Sequence, residues 1–241
     1  MNLKFTISYD GTNYFGSQKQ PNTKTVEDEL LKAFKDINID TKIVLSGRTD
    51  RGVHATKQVF NCIVPEIWES NYKKLKFILN NKLPNSIKVL NVNSVSNDFH
   101  ARFSAKKREY RYIITTKKLN PFISNYLISV KNIDEELIKD AIKEFIGIYD
   151  FKYFQKTGSQ KDKTIREIYS TKFYRYRDIY VFKFCANSFL RSQIRLMVGF
   201  LLAINDKKRT IKELKEQLNC EKLHFKTPIL PNGLYLSKII Y

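Results

Sequence analysis

The sequence has little cysteine and histidine, the residues that build disulfide frameworks and most zinc sites. The cysteines are widely spaced and form no Cys-x-x-Cys pair: Cys62, Cys185 and Cys220. The three histidines are equally isolated along the chain. An odd number of scattered cysteines is typical of neither a disulfide-stabilised secreted protein nor a zinc protein. We therefore expect a protein without a metal ion.

Long hydrophobic segments are also missing. The longest uncharged apolar run covers residues 196–204, far short of the roughly 20 apolar residues that a membrane-spanning helix needs. The opening residues, MNLKFT, contain no apolar core of a signal peptide. These features predict a cytoplasmic protein that is not bound to a membrane.

Acidic residues are outnumbered, with 24 Asp and Glu against 43 Lys and Arg and a formal net charge of +19. Such an excess destabilises the compact state by self-repulsion, and it favours a polyanionic partner. The basic residues are spread along the chain and interleaved with Tyr and Phe, without a polybasic tail beside a hydrophobic anchor. This distribution favours nucleic acid over an anionic membrane surface.

The hydrophobic periodicity predicts an α/β arrangement in the first half of the chain. Strands are predicted at 3–9, 43–45, 57–64 and 87–95, and helices at 25–37 and 66–81. Thr25 and Asp28 have the spacing of a capping box at the start of the first helix. The resulting order, β-α-β-β-α-β, is that of a split βαβ unit.

Residues 97–103 interrupt the pattern and predict a boundary between two domains, 1–103 and 104–241. Beyond the boundary the pattern predicts strands at 107–116, 126–130 and 233–240, a hairpin of 164–176 with 179–186, and helices at 134–146, 189–205 and 211–218. The predicted fold class is α+β, with two ferredoxin/RRM-like halves whose antiparallel sheets have helices packed behind them. The polar and basic stretch at 155–163 is predicted to be a loop.

The segment 46–55, SGRTDRGVHA, contains a single acidic side chain, Asp50, between Arg48 and Arg51. It is predicted to join two strands, and its glycines allow a tight turn and close approach of a ligand to the main chain. Neighbouring arginines favour the ionised form of a carboxylate, which suits a nucleophile or an anchor for a polar substrate. Alternatively, Asp50 caps a turn and pairs with its neighbours. The segment alone leaves both interpretations open.

Five blocks in this order resemble the TruA family of tRNA pseudouridine synthases, and together they extend over nearly the whole chain. They are YDGTNYFG at 9–16, SGRTDRGVHA at 46–55, DFHARFSA at 98–105 followed by YRY at 110–112, ANSFL at 186–190 followed by IR at 194–195 and VG at 198–199, and PNGLYL at 231–236. The resemblance implies isomerisation of uridine to pseudouridine at positions 38–40 in the anticodon stem-loop of tRNA. It also implies a catalytic cleft between the two halves, no cofactor or metal, and a homodimer.

The resemblance assigns catalytic roles to three residues. Asp50 is implied to be the nucleophile, Arg195 its ionic partner, and Tyr110 the residue that stacks on the target base and accepts a proton. Without the resemblance, Arg195 reads as a locally paired helix residue and Tyr110 as a core tyrosine on a strand.

Further residues are implied to contact the substrate. Arg48 is assigned to the gap left when the uridine leaves the base stack, and Phe189 and Leu234 to the apolar walls of the pocket. The loops at 10–20 and 155–163 are candidates for gripping the anticodon arm. His54 is more simply interpreted as a structural loop histidine.

The sequence departs from the family pattern at Ser17, where tryptophan is usual, at Glu27, where glutamine is usual, and at 191–193. Two other functions compete with the enzyme. A non-catalytic RNA-binding protein would also be basic and aromatic-rich, but it would need exposed aromatic residues on its sheets. An acid–base hydrolase using Asp50 would need a second carboxylate or a metal-ligand cluster near it, and the sequence shows neither.

Overall fold

The computed structural model describes residues 1–156, 158 and 163–241. The chain divides into two compact units. Unit 1 comprises Met1–Lys106 and Tyr235–Tyr241, and unit 2 comprises Lys107–Leu234. Each unit combines helices with a sheet that contains both antiparallel and parallel strand pairs, so the fold class is mixed α+β.

Unit 1 contains five strands and two α-helices. They are β1 (Asn2–Tyr9), α1 (Val26–Lys35), β2 (Val44–Leu45), β3 (His54–Ile63), α2 (Tyr72–Lys82), β4 (Ile87–Ser94) and β10 (Leu234–Ile240). β1 lies between β4 and β3 and is antiparallel to both. β2 pairs antiparallel with β3, and β10 runs parallel to it.

Helix α1 begins where the sequence predicts. The Asp28 N–H donates to Thr25 Oγ1 at 3.3 Å, and the Thr25 N–H donates to the Asp28 carboxylate at 3.1 Å. These bonds form the predicted capping box, because each side chain satisfies a backbone N–H that the first helical turn leaves free. The apolar face of the helix buries Val26, Leu30 and Phe34.

An aromatic cluster forms the centre of the unit 1 core. Phe5 of β1 stacks on Phe60 of β3 with ring centroids 4.7 Å apart, and Phe34 of α1 meets Phe5 edge-on at 5.5 Å. All three side chains are fully buried. Burying each ring contributes about 1.5–3 kcal/mol, so this cluster fixes α1 against the sheet from which the functional loops emerge.

Two predictions for unit 1 are wrong. The single helix predicted at 66–81 is instead a short 3-10 turn, Glu66–Trp68, followed by α2. Ser70 between them has φ 61°, a left-handed conformation that interrupts a helix. The final strand, predicted to belong to the second half, lies in unit 1 from Tyr235 onward, because Tyr235 and Leu236 pair with β3.

Unit 2 contains the remaining strands and α-helices, with two short 3-10 turns at Phe151–Phe154 and Pro231–Gly233. The strands and α-helices are β5 (Lys107–Thr115), β6 (Ile128–Ser129), α3 (Glu135–Lys143), β7 (Gly147–Asp150), β8 (Ile165–Tyr176), β9 (Ile179–Ala186), α4 (Gln193–Asn205) and α5 (Ile211–Leu218). The strands lie in the order β5-β9-β8-β7 with antiparallel pairing, and β6 is parallel to β5. The predicted β8–β9 hairpin is confirmed, whereas β7 was not predicted.

Helix α4 begins later than the predicted start at Phe189. Ser192 is left-handed at φ 61°, and the buried Gln193 side chain accepts the Leu190 N–H at 2.7 Å. The chain before Gln193 is therefore held as a turn. From Gln193 onward nearly every residue is buried, because this helix is apolar all round and forms the centre of unit 2.

The prediction of purely antiparallel sheets is wrong at the β3–β10 and β5–β6 pairs, which are parallel. Short connections enforce antiparallel pairing, but long ones leave the strand direction free. β3 and β10 are far apart in sequence, and the connection from Thr115 to Ile128 is long enough for a crossover, so the apolar pattern gave no information on direction. Among the described helices, none combines the length and the apolar character required to span a membrane.

Candidate active site

The residue before Asp50 is fixed on several sides. The Thr49 N–H donates to Ser17 Oγ at 2.9 Å, and the Ser17 N–H donates to the Thr49 carbonyl at 3.2 Å. The hydroxyls of Thr49 and Tyr9 lie 2.8 Å apart. Ser17, Thr49 and Tyr9 are all buried, so these bonds form away from water and hold the backbone that carries Asp50.

Asp50 opens a tight turn that leads into β3. The Val53 N–H donates to the Asp50 carbonyl at 3.1 Å, and the Gly52 N–H donates to the Tyr14 carbonyl at 3.3 Å. Gly52 has φ 75°, a conformation that glycine adopts without steric cost. Asp50 itself is half-buried, which leaves its side chain partly accessible on a backbone that is held in place.

The two neighbouring arginines are exposed. The Arg51 guanidinium lies 4.3 Å from the centre of the Phe15 ring, within cation–π distance. Arg51 is thus drawn over the opening loop of the chain. Arg48 stays on the surface of the protein.

The start of the loop is held by a buried amide. Gln58 Nε2 donates to the Gly47 carbonyl at 2.8 Å, and its Oε1 accepts the Ser46 hydroxyl at 2.5 Å. The Ser46 N–H donates to the Val59 carbonyl at 2.8 Å. Gln58 is completely buried, and a buried amide is stable only when its hydrogen bonds are made.

Two glycines allow the opening loop to lie directly against the Asp50 loop. A Cβ on Gly11 would be 2.0 Å from the Val53 carbonyl oxygen, and one on Gly16 would be 2.7 Å from the Thr49 carbonyl oxygen. Gly16 also has φ 112°. The blocks 9–16 and 46–55, separate in sequence, therefore form one packed structure.

His54 is buried and takes part in this packing. Its Nδ1 accepts the Gly11 N–H at 3.0 Å and lies 3.2 Å from the Asp10 carboxylate. The ring also stacks on Tyr235 at 4.8 Å. These contacts assign His54 a structural role.

Burial raises the pKa of Tyr9 to about 12, and hydrogen bonds with Thr49, Gln58 and Ser17 partly oppose that rise. The hydroxyl therefore stays protonated near neutral pH. It can keep its hydrogen bond with Thr49 without placing a charge beneath the loop.

In unit 2, Tyr110 and Phe189 lie together. Tyr110 is on β5, opposite Phe184 of β9, and its ring meets Phe189 edge-on with centroids 5.3 Å apart. Tyr110 is buried and Phe189 is half-buried. Two of the residues implied to contact the base thus form one aromatic pair.

Arg195 lies on the first turns of α4. Its Nε–H donates to the Ile229 carbonyl at 2.7 Å, and the Ile229 N–H donates to the Arg195 carbonyl at 3.1 Å. One turn further on, a Cβ on Gly199 would be 2.6 Å from the Thr227 carbonyl oxygen. The segment around 227–229 therefore runs close along the helix and fixes the direction of the Arg195 side chain.

Leu234 is buried at the start of β10. Before it, a Cβ on Gly233 would lie 2.6 Å from the Ile113 carbonyl oxygen. The buried Tyr112 hydroxyl donates to the Leu230 carbonyl at 2.6 Å. Burial raises the pKa of Tyr112, and the charge of Arg195 opposes this rise. The segment that ends in Leu234 is thus held by β5.

Sequence reasoning missed the buried network of Tyr9, Ser17 and Gln58. The only signal in the sequence is the departure at Ser17, where serine stands in place of the usual tryptophan. The loop at 155–163, a candidate for gripping the anticodon arm, lies largely outside the described residues. Within the described part of the chain, no group of three His, Cys, Asp or Glu side chains is arranged to hold a metal ion.

Comparison with known proteins places the chain among enzymes that modify tRNA. A family model described as tRNA pseudouridine synthase matches residues 6–104 and 141–241, and the chain belongs to that family. The tRNA pseudouridine synthase A of Wolinella succinogenes is 40% identical over 235 residues, covering 98% of this chain and 92% of the relative. The corresponding enzyme of Campylobacter jejuni strain RM1221 is 38% identical over 243 residues, with 100% of both chains covered. That of Helicobacter pylori strain P12 is 35% identical, with 99% of both covered.

Proposed function

We propose that this tRNA pseudouridine synthase isomerises uridines 38–40 in the anticodon stem-loop of tRNA, with Asp50 as the nucleophile. Family membership over nearly the whole chain supports the reaction type. The observation that supports Asp50 most directly is its position on a loop that buried hydrogen bonds hold from both sides. A nucleophile whose backbone is already held in place loses less conformational entropy when it reacts.

The reaction needs no co-reactant. The bond between N1 of uracil and the sugar breaks, the base turns, and a bond from C5 to the same sugar carbon forms. C5 gives up one proton and N1 gains one, so atoms and electrons balance. Asp50 forms a covalent intermediate with the sugar or with the base. Both routes need an ionised carboxylate at the start.

We assign Arg195 as the positioning and ionic partner of Asp50. Its side-chain direction is fixed by the bond from Nε to the Ile229 carbonyl, and its guanidinium stays charged at every physiological pH. A cation with a fixed direction stabilises a carboxylate, and it stabilises the charge that develops as the glycosidic bond breaks.

We assign Tyr110 to stacking on the target base and to proton transfer. Together with Phe189 and Leu234 it supplies aromatic and apolar surface for a base that has left its stack. Arg48, exposed beside the nucleophile, is assigned to the gap that the flipped uridine leaves.

Binding of the rest of the tRNA rests on charge and shape. The net charge of +19 suits sequence-independent contacts with phosphates, which dominate the recognition of folded RNA. A homodimer, a cytoplasmic location and ferredoxin-like halves flanking a catalytic cleft complete the proposal. The strand order β4-β1-β3 with β2 beside β3 supports the ferredoxin-like description of unit 1.

The decisive experiment compares the unchanged protein with Asp50→Ala in an assay of tritium release from 5-tritiated uridine in unmodified tRNA. We expect Asp50→Ala to abolish turnover while tRNA affinity stays within about threefold, because binding rests on the cationic surface. Asp40→Ala, which changes an exposed aspartate outside the loop, is the matched control and should remain active. Turnover by Asp50→Ala would reject the nucleophile. Absence of turnover by the unchanged protein would favour the non-catalytic RNA-binding alternative.

A further inference from the structure

The loop at residues 98–104 exposes an aromatic ring to solvent. Phe103 is 75% exposed, yet it is not isolated. Its ring stacks on the imidazole of His100 with centroids 4.3 Å apart and planes 27° apart. The Arg102 guanidinium lies 5.6 Å from the Phe103 ring centre. An aromatic face with a cation beside it is therefore presented to solvent.

Hydrogen bonds within the loop fix the two rings. The N–H groups of Arg102 and Phe103 both donate to His100 Nδ1 at 3.2 Å. The Ser104 N–H donates to the His100 carbonyl at 2.9 Å, and the His100 N–H donates to Ser104 Oγ at 3.1 Å. The imidazole is thus both a stacking partner and the acceptor around which the loop turns.

Side chains of the unit 1 core hold the loop in place through hydrogen bonds to its backbone. Asn61 Oδ1 accepts the Ala101 N–H at 2.8 Å, and Asn2 Nδ2 donates to the Phe99 carbonyl at 3.0 Å. The Tyr241 hydroxyl donates to the Ala101 carbonyl at 2.9 Å. Asn2 and Asn61 are both buried. Burying an amide is unfavourable unless its hydrogen bonds are made. The buried amides of Asn2 and Asn61 make theirs with the loop backbone and so fix the shape of the loop.

We propose that Phe103, with His100 and Arg102, forms a stacking subsite for an unpaired nucleobase of the tRNA substrate. Unpaired bases of RNA stack on aromatic rings and on guanidinium planes, and such stacking tolerates any base. The charge of the chain draws RNA to its surface, and Arg102 adds a cation where a base and its phosphate would arrive. A ring already held in place loses little entropy when a base stacks on it. This inference rests on the proposed function, because tRNA is the occupant.

A single exposed apolar side chain needs no functional explanation. The test therefore needs a control, which is a second exposed phenylalanine to which no role is assigned. Phe77, on helix α2 in the same unit, is 66% exposed. Lys73 and Lys74 precede it by one helical turn, so it also has basic neighbours on the helix. It differs from Phe103 in lying on a regular helix and not on a loop that is anchored from below.

The test measures the affinity of unmodified tRNA for Phe103→Ala and Phe77→Ala, both in an Asp50→Ala background so that no turnover occurs. We expect Phe103→Ala to weaken binding about tenfold, and Phe77→Ala by less than twofold. Phe103→Leu keeps apolar volume but removes the ring, and it should resemble Phe103→Ala. Phe103→Tyr should bind like the parent.

A second readout is direct. The chain has one tryptophan, so Trp68→Phe with Phe103→Trp places a single indole in the loop. Addition of tRNA should quench its fluorescence and shift it, because stacking on a base excludes water. Trp68→Phe with Phe77→Trp should show little change.

The proposal is overturned if Phe103→Ala leaves affinity unchanged, if Phe77→Ala weakens it equally, or if the indole at 103 does not respond to bound tRNA. It is also overturned if Phe103→Ala dissociates an oligomer in sedimentation while each chain keeps its affinity, since the ring would then contact a second copy. None of these readouts needs turnover. Failure of the nucleophile assignment therefore stays separate from failure of the stacking subsite.

Discussion

The two units hold the side chains that we propose to act on tRNA in different ways. In unit 1, Asp50 and Phe103 lie on irregular loops that buried hydroxyls, amides and close-packed glycines hold in place. In unit 2, Tyr110 lies on a strand and Arg195 on a helix, where register and helical periodicity set the direction of each side chain.

This difference predicts how each unit responds to amino-acid substitution. A loop depends on a few dedicated residues such as Ser17 and Gln58, and losing one leaves a buried polar group unsatisfied, at a cost of about 1–3 kcal/mol. A strand or helix distributes its support over many backbone hydrogen bonds. We therefore expect substitutions of Arg195 and Tyr110 to leave the backbone of α4 and β5 in place, whereas substitutions around the Asp50 loop should shift the loop itself.

After the loss of turnover expected of Asp50→Ala, the largest effect is expected at Arg195. Arg195→Ala should lower kcat by about 10³-fold, since removing one well-placed electrostatic group costs that order of rate, while the melting temperature changes little. Arg195→Lys keeps the charge but loses the planar fork, and should recover only part of the rate. Tritium release and thermal unfolding of the same preparations check this. A loss below tenfold would remove Arg195 from the mechanism.

Tyr110 gives the next effect and separates its two assigned roles. Tyr110→Phe keeps the ring against Phe189 and removes the hydroxyl, so proton transfer should fail and kcat should fall by about 10²-fold. Tyr110→Ala removes the stacking surface as well and should raise the KM for tRNA. Steady-state kinetics on both variants distinguish the roles. Full activity of Tyr110→Phe would leave stacking as the whole contribution.

Gly11 tests the packing of the loops in unit 1. Gly11→Ala should lower the free energy of unfolding by about 2 kcal/mol, because its Cβ would meet the backbone at Val53 and overpacking costs that order. Gly47→Ala is the control in the Asp50 loop, since no atom lies within 4 Å of its added Cβ. It should be neutral or slightly stabilising. Equal urea midpoints for the two variants would contradict this account of the loop.

Tyr9 gives the smallest and most specific effect. Burial raises its pKa from 10.0 to about 12, so the unfolded chain releases the proton at a lower pH than the folded chain. The stability that the protonated hydroxyl contributes is complete below pH 10.0 and is lost as the pH rises through about 12.

Tyr9→Phe removes this dependence and loses the bond to Thr49. The variant should be about 1 kcal/mol less stable near neutral pH, and its deficit should shrink as the solution becomes more alkaline. Urea unfolding of both proteins across this pH range measures the difference in their free energies of unfolding. The titration of other buried groups, such as Cys62, is the same in both proteins and cancels in that difference. A deficit that stays constant with pH would show that Tyr9 is not sealed from water.

The sequence predicts elements well where a local rule governs them. The capping box at Thr25 and the β8–β9 hairpin follow from residue types a few positions apart, and both are confirmed. The helix predicted at 66–81 is wrong because Ser70 breaks it, and a left-handed serine leaves no signature in an apolar pattern. β7 is too short for its periodicity to be visible.

For the candidate site, the sequence marks Asp50 but not its support. A carboxylate between two arginines and two glycines is visible in one short segment. The bonds of Ser17 to Thr49 join distant segments, and only the folded chain brings these partners together. The same holds for Asn2 and Asn61 beneath the Phe103 loop.

The position of β10 affects the order in which unit 1 is completed. Residues 107–234 lie between the earlier part of unit 1 and the strand that pairs with β3. During synthesis on the ribosome, β3 therefore has no parallel neighbour until the whole of unit 2 has been made. His54 likewise lacks its stacking partner Tyr235 until then. Domains fold largely as they emerge. The surroundings of Asp50 are thus among the last parts of the nascent chain to mature, so a stalled or truncated product lacking 235–241 should be compact yet inactive.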